Sequence, residues 1–547
     1  MKKIFTLIAL LAGSLTAAMA TDYTGQLVVT INGSPSAPSE NIITVDEQAD
    51  GKYSLQLKNF KLNLMGAPMN VGTINIAGVD AATDGAATIL NTRQNIEIAA
   101  GDDPDVKIWL GPNLGEVPVS VAAKAVDGNL DALINISFSG MDIKVKFGEN
   151  KGYQIGNSGF ETFHKAIIPA NEDMGSQECI SDEPDNWHSF MSASGEPAFV
   201  YLAGYNPHTF ISDDVRPGST GTHSVKVSSV DMWFTVANGT ITTGRLNAAA
   251  MDAADPLNHT WLDMSQTDVD DNGDPFHAVM NGRPDSLVVW VKFIQGTPNV
   301  NFPYATVNAV ITDGTYYQDP EGYEVKIIEP EDEEGEPEEI HIPIEYTNVV
   351  AKATNTTIES LDGVWQRLAI PFDYDTYAAN EAVNKAILVT ISTNATPGEG
   401  STDDLYVDDL ELVYNTGLSS LKFRGTDIVG FATDVTAYEV SGENVTLDDF
   451  EAVAAGRGAY IFKDAVTAAD GTNSVVITVV PSDFSSSTVY TVNVKGTLDG
   501  ITTVKNVAPR AVKAVYNMGG QQIKTAGKGT ISITKYTDGT VVKTINR

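Results

Sequence analysis

The feature that constrains this chain most is a slip in parity near the end of its central third. In residues 401–414, STDDLYVDDLELVY, Leu405 and Val407 share one parity, whereas Leu410, Leu412 and Tyr414 share the other. Side chains of a strand alternate faces, so a strand with one buried face cannot change parity without an inserted residue. The Asp408-Asp409 pair is therefore predicted to form a β-bulge, which re-aims one carboxylate. A second segment, NSGFETF at 157–163, is expected to meet this strand and close one all-β unit between them.

The remaining chain reads in the same period. Residues 21–150 hold eight candidate strands, at 25–31, 42–47, 53–62, 72–77, 88–98, 117–125, 130–138 and 143–147. Asn32-Gly33, Asp84-Gly85 and Asp127-Gly128 separate some of them, and such dipeptides suit hairpin turns that need positive φ. Eight up-and-down strands can close into a barrel and so lose both edges. In residues 151–415, the run 286–293 puts Leu287, Val289, Val291 and Phe293 on one face and Val288, Trp290 and Lys292 on the other, as a half-buried strand requires. The acidic run 329–339, EPEDEEGEPEE, reads as a solvated hairpin tip. Residues 416–500 form a smaller β unit. From Lys505 onward there are eight Lys or Arg and one acid, Asp538, in a pattern of strand, Gly turn, strand.

Charge narrows the function classes. The 547 residues carry 34 Lys+Arg and 71 Asp+Glu, a formal net charge of -37, which disfavours nucleic acid and anionic membranes as partners. Lys2, Lys3, an apolar run at 4–15 and Ala18-Met19-Ala20 form an export signal over residues 1–20, and no transmembrane span follows. The lone Cys179 allows neither an intrachain disulfide nor a cysteine zinc site. There is no GxSxG, no HExxH and no phosphate-binding glycine loop. Acids are so numerous that only geometry could reveal a glycosidase pair.

Family resemblances add specific expectations. Starting at DYTGQLVVTING, residues 21–150 resemble the calycin-like barrel at the front of some Bacteroidetes secreted proteins. Residues 151–415, with NSGFETF, EPDNWHSF, GTHSVKV, GRPDSLVVWVKF, VWQRLAIPF and LYVDDLEL, resemble a galactose-binding-like jelly roll, the putative carbohydrate metabolism domain of Bacteroidetes surface proteins. LSSLKF and DVTAYEV in 416–500 resemble an Ig- or cadherin-like sandwich. The basic tail 501–547 is similar to a type IX secretion sorting domain, with Ile531 and Ile533 where such tails more often carry an aromatic. The jelly-roll resemblance implies a structural calcium ion held by Glu161 and Asp409, with Asp408 facing out, since oxygen donors suit this hard cation.

Two constellations follow from the residues themselves. DVDDNGD at 268–274 places Asp268, Asp270, Asn272 and Gly273 at positions one, three, five and six of a calcium loop, but position twelve is Val279. Five of six Trp and all seven His fall within 151–415. Indole faces stack on sugars and polar forks hold hydroxyls, so Trp261, Trp187 and Trp290 with Asp213, Asp214 and Arg216 are the expected glycan contacts. The alternative for each Trp is a place in the sandwich core. The expectation is an exported, surface or extracellular, all-β protein that binds a polysaccharide or glycoconjugate without catalysis. The alternatives are a hydrolase with an unrecognised carboxylate pair and an adhesive surface protein. The glycan and the oligomeric state are not readable.

Overall fold

The computed structural model describes residues 20–499, apart from 65–66, 150, 171, 173–176, 233–234, 329–337, 381–382 and 469, and the tail segments 512–517, 522–523, 531–536 and 541–545. The export signal, Trp233 and most of the acidic run 329–339 lie outside these residues. Among the described residues the fold is all-β, and no helix is long and apolar enough to cross a membrane.

The N-terminal part is a closed antiparallel barrel of eight strands. Neighbours in sequence are neighbours in the sheet, and Thr21–Ile31 pairs with Met141–Phe147 to close it. Inward residues such as Leu27, Val29, Ile76, Leu90, Ala123 and Phe147 fill the interior as one apolar cluster.

The centre is a sandwich of two antiparallel sheets. One has the order Thr209–Ser212, Ser224–Ser228, Asp404–Val413, Ser286–Ile294, Gln366–Pro371; the other runs Thr240–Thr242, Ala386–Ser392, Tyr304–Thr312, Val349–Glu359. Val225, Leu287, Val289, Phe293, Leu405 and Val407 from the first sheet meet Ile241, Val307, Ile311, Val389 and Ile391 from the second. The parity slip is a bulge: Val288 pairs with Glu411 but Trp290 with Asp408, leaving one more residue on Asp404–Val413 than on its partner. Asp409 sits there at φ +42°. The 157–163 segment closes the unit: the Leu410 amide donates to the Ser158 carbonyl at 2.9 Å, and Phe160 and Leu410 share one core.

Residues 418–498 form a second sandwich with its own core around Phe450, Ile477 and Tyr490. It packs against the barrel through Ala122, Leu133, Val480 and Phe484. In the tail, Val512–Asn517 lies between Gln522–Ile523 and Ile531–Tyr536, which in turn pairs with Val541–Ile545.

Candidate ligand cavity and acidic clusters

The outer face of the second central sheet changes character along its length. Every residue of Ala386–Ser392 is buried, although a sandwich strand needs cover on only one face. Its outward residues begin apolar, with Ala386 and Leu388 packed on Leu262, Val310 and Tyr317. They end polar, at Thr390 and Ser392. Across the sheet, Ser392 is in register with Thr240 and Thr306, and Thr390 with Asn308. A small sheet (Ser194–Gly195, Arg245–Ala248, His259–Leu262, Tyr317–Asp319) and the helix Pro197–Gly204 lie beside this polar end.

Between them is a cavity of about 280 Å³. One wall is apolar, from Phe190, Phe199, Leu202, Met232, Leu246 and Met251. Its polar lining includes Asn238, Thr306, Asn308 and Asp319. Asn308 Nδ2 donates to Asp319 Oδ2 at 3.1 Å, and Asn238 Nδ2 donates to the Asn394 carbonyl at 2.9 Å. Asn238 Oδ1, Asn308 Oδ1 and Thr306 Oγ1 are buried without a protein partner. A buried acceptor without a donor is costly, so the arrangement favours a ligand that brings O–H or N–H groups. Burial pushes the Asp319 carboxyl above its ordinary range, against the Asn308 hydrogen bond and the Lys352 charge. Burial likewise lowers the His259 pKa, and its Nδ1 lies 2.8 Å from the Pro256 carbonyl. The sequence signal for this floor was polar residues at alternate positions of two otherwise apolar runs, ATVNAVIT and AILVTIS; an alternation that looks half-exposed is in fact buried.

The six residues expected to contact glycan are scattered. Trp187 is fully buried, its ring 5.1 Å from Phe160 and its Nε1 donating to the Gly156 carbonyl, so it is core and not a platform. Trp261 is half-buried next to the cavity strand, 5.8 Å from Tyr316, with Nε1 donating to Ser194 Oγ. Trp290 and Arg216 do meet, on the outer face of the first central sheet. There the Arg216 guanidinium lies 5.3 Å from the Trp290 ring centre, in the place a sugar face would take. Asp214 accepts from Trp365 Nε1 at 3.1 Å and pairs with Lys292, which lies over Tyr406. Asp213 is 91% exposed and faces His223.

The expected calcium ligands, Glu161 and Asp409, lie on either side of Gly159, each already engaged by donors. Glu161 accepts from the Thr222 amide with both oxygens at 3.0 Å, from Thr222 Oγ1 at 3.1 Å and from the His223 amide at 3.2 Å. Asp409 Oδ2 accepts from Arg216 Nε at 2.5 Å and from Ser219 Oγ at 3.3 Å. A guanidinium and a row of N–H groups already neutralise these carboxylates, so the pair does not fit a calcium ion. Asp408, expected to face out, is instead fully buried; its Oδ2 accepts from the Arg216 amide at 2.9 Å and its Oδ1 has no partner. The bulge reverses the two roles, because the inserted residue is Asp409. In the 268–274 loop the side chains diverge. Asp268 pairs with Arg245, Asn272 Nδ2 donates to Asp274 and Asp185, and Asp270 turns inward toward His164 and His188. They do not enclose one ion as a calcium loop would.

The fold and the site define a chain of successive β units whose central sandwich carries a half-apolar, acceptor-lined cavity. Residues 19–150 match the family described as a Calycin-like beta-barrel domain. No curated protein matches the chain. Among solved structures, a bifunctional GH43-CE of Bacteroides eggerthii is 11% identical at a TM-score of 0.17, over 74% of this chain and 52% of that one. PNGF-II is 7% identical at a TM-score of 0.12, over 74% of this chain and 69% of that one. The chain thus spans about half the length of the first of these, and scores this low carry no functional assignment.

Proposed function

We propose that the central sandwich is a non-catalytic binding module for a hydroxyl-rich ligand, a sugar unit of a polysaccharide or glycoconjugate, on a protein exported to a bacterial surface. One observation carries the reading: three buried oxygens, on Asn238, Thr306 and Asn308, lack protein donors beside an apolar wall. A sugar ring meets both needs at once, with hydroxyls that donate and a C–H face that packs on Phe and Leu. The -37 formal charge suits a neutral glycan better than an anionic one. Hydrolysis is the weaker reading, because among the described residues lining the cavity Asp319 is the single carboxylate, and acid–base cleavage of a glycosidic bond uses two.

The test is a glycan array with the full chain, followed by calorimetry on any hit. Thr306→Val keeps the side-chain shape and deletes one unpaired hydroxyl. It should weaken binding about tenfold, the value of one hydrogen bond of ~1.4 kcal/mol, while leaving the melting temperature unchanged or raised. Binding unaffected by Thr306→Val would move the ligand elsewhere; release of reducing ends would make the protein an enzyme.

A further inference from the structure

A second constellation stands apart from the cavity and from Glu161 and Asp409, and draws one residue, Asp270, from the 268–274 loop. His164 on Phe163–Ile168 is in register with Glu183 on Cys179–Pro184. His188 follows the buried Trp187, and Asp270 comes from the loop after residue 268. His164 Nε2 lies 3.7 Å from Glu183 Oε2 and 3.5 Å from Asp270 Oδ2, while His188 Nδ1 lies 3.4 Å from the same Asp270 oxygen. All four atoms are buried and none has a hydrogen-bond partner. The side chains of Glu183 and His188 are fully buried, that of Asp270 is 1% exposed and that of His164 10%.

The other polar atom of each residue is tied down. His164 Nδ1 bonds Asp185 Oδ1 at 3.1 Å, and His188 Nε2 meets the Pro275 carbonyl at 3.2 Å. Glu183 Oε1 accepts from the Ser189 amide at 2.6 Å and from the Ser189 hydroxyl. Asp270 Oδ1 accepts from the amides of Asn272 and Asp274 at 2.9 and 2.8 Å. A carbonyl only accepts, so His188 carries its proton on Nε2 and presents a lone pair at Nδ1. The Asp185 carboxylate fixes His164 in the same way, with the lone pair at Nε2. The free nitrogen of His164 and the free oxygens of Glu183 and Asp270 therefore converge, all within 4.8 Å of one another, while His188 Nδ1 lies beside the Asp270 oxygen. Metal-bound histidines characteristically give their second N–H to a carboxylate or a backbone carbonyl.

The geometry points to a buried binding site for a first-row divalent transition ion of the zinc class, with His164, Glu183 and Asp270 as its donors and His188 beside Asp270. Metal–ligand bonds of about 2.0–2.1 Å place tetrahedral donor atoms roughly 3.3–3.4 Å apart, near the 3.7 and 3.5 Å between His164 Nε2 and the Glu183 and Asp270 oxygens. Mixed imidazole and carboxylate donors suit such ions, whereas calcium takes six to eight oxygens. The closed surroundings make the role structural: an ion would pin the 163–184 hairpin and the 268–275 loop to the sandwich beside Trp187. The rival occupant is protons. Burial pushes the His164 pKa down, but the Asp185 hydrogen bond and the nearby charges of Glu183 and Asp270 outweigh it and raise the pKa to about 9.

The test uses the untagged full chain, stripped with a chelator and titrated with Co²⁺. Expected is about one equivalent of Co²⁺ with the visible absorption of an imidazole–carboxylate site, displaced by Zn²⁺. Zn²⁺ at about 100 times its dissociation constant should raise the melting temperature by roughly 5–10 °C. The band should vanish in Asp270→Asn and Glu183→Gln and persist in His277→Ala. Wild type, folded by circular dichroism, that binds no Co²⁺ overturns the proposal in favour of protons, and this holds even if a variant fails to fold. A band that survives both ligand variants, or a stabilisation by Ca²⁺ that Zn²⁺ does not reproduce, overturns it as well.

Discussion

Two clusters of carboxylates sit in the same sandwich, and their local environments separate them. At the closure of the sandwich, Glu161 and Asp409 are met by amides, hydroxyls and the Arg216 guanidinium. Beneath the 163–184 hairpin, Glu183 and Asp270 converge on His164, and His188 lies beside Asp270. Sequence alone ranks them the other way, since the first carries the familiar bracket and the second is split over more than a hundred residues. The difference teaches that acid density says little about ion binding. What matters is whether the lone pairs are already matched by donors, which depends on what the fold brings opposite them.

The largest predicted contrast comes from removing one acid from each cluster. Glu183→Ala leaves the Ser189 donors unmatched and strips a buried charge from the imidazoles beside it. It should cost about 3–5 kcal/mol in urea denaturation. Glu161→Gln keeps an acceptor for the Thr222 amide on an exposed side chain and should cost no more than about 1 kcal/mol. Equal losses would mean that the two clusters are energetically alike, and the contrast drawn here would fail.

Arg216 offers an intermediate test. Its guanidinium bonds Asp409 and covers Trp290, so Arg216→Ala should cost about 1–3 kcal/mol, while its backbone hydrogen bond to Asp408 survives. The same change removes the built-in cation from the closure. Wild type should show no rise in melting temperature with millimolar Ca²⁺; if any form of the protein responds, it should be Arg216→Ala. A response in wild type would show that calcium competes with the guanidinium.

Much of the fold was legible because its signals are local. The eight barrel strands follow from alternation and turn dipeptides, and the bulge follows from the parity of Leu405, Val407, Leu410 and Leu412. Which Asp of the pair turns inward was not legible, because it depends on which residue is the inserted one. The sites were harder still. Trp187 was expected among the glycan contacts, yet it is fully buried against Phe160. The polar floor of the cavity was hidden because a small sheet and a helix, remote in sequence, cover that face. His164, Glu183 and His188 lie close in sequence, but no spacing rule could supply Asp270 from a loop some eighty residues later. Asp270 was expected at position three of a calcium loop, but its side chain points to His164 and His188.

The smallest effect tests the buried member of the closure. Burial raises the Asp408 pKa and the Asp409 charge adds to this, while the Arg216 hydrogen bond opposes it. The folded protein therefore holds this proton more tightly than the unfolded chain. The stability this contributes is fully present below the unfolded value near pH 4 and is lost as pH rises through the folded value. Asn is neutral throughout and can still accept from the Arg216 amide. Asp408→Asn should therefore melt above wild type at pH 7–8, by up to about 3 °C, and the gap should close as pH falls toward 4. Identical melting at both pH values would mean that the Asp408 charge is compensated. The closure would then hold more positive charge than Arg216 supplies, and the division between a satisfied cluster and an unsatisfied one would have to be redrawn.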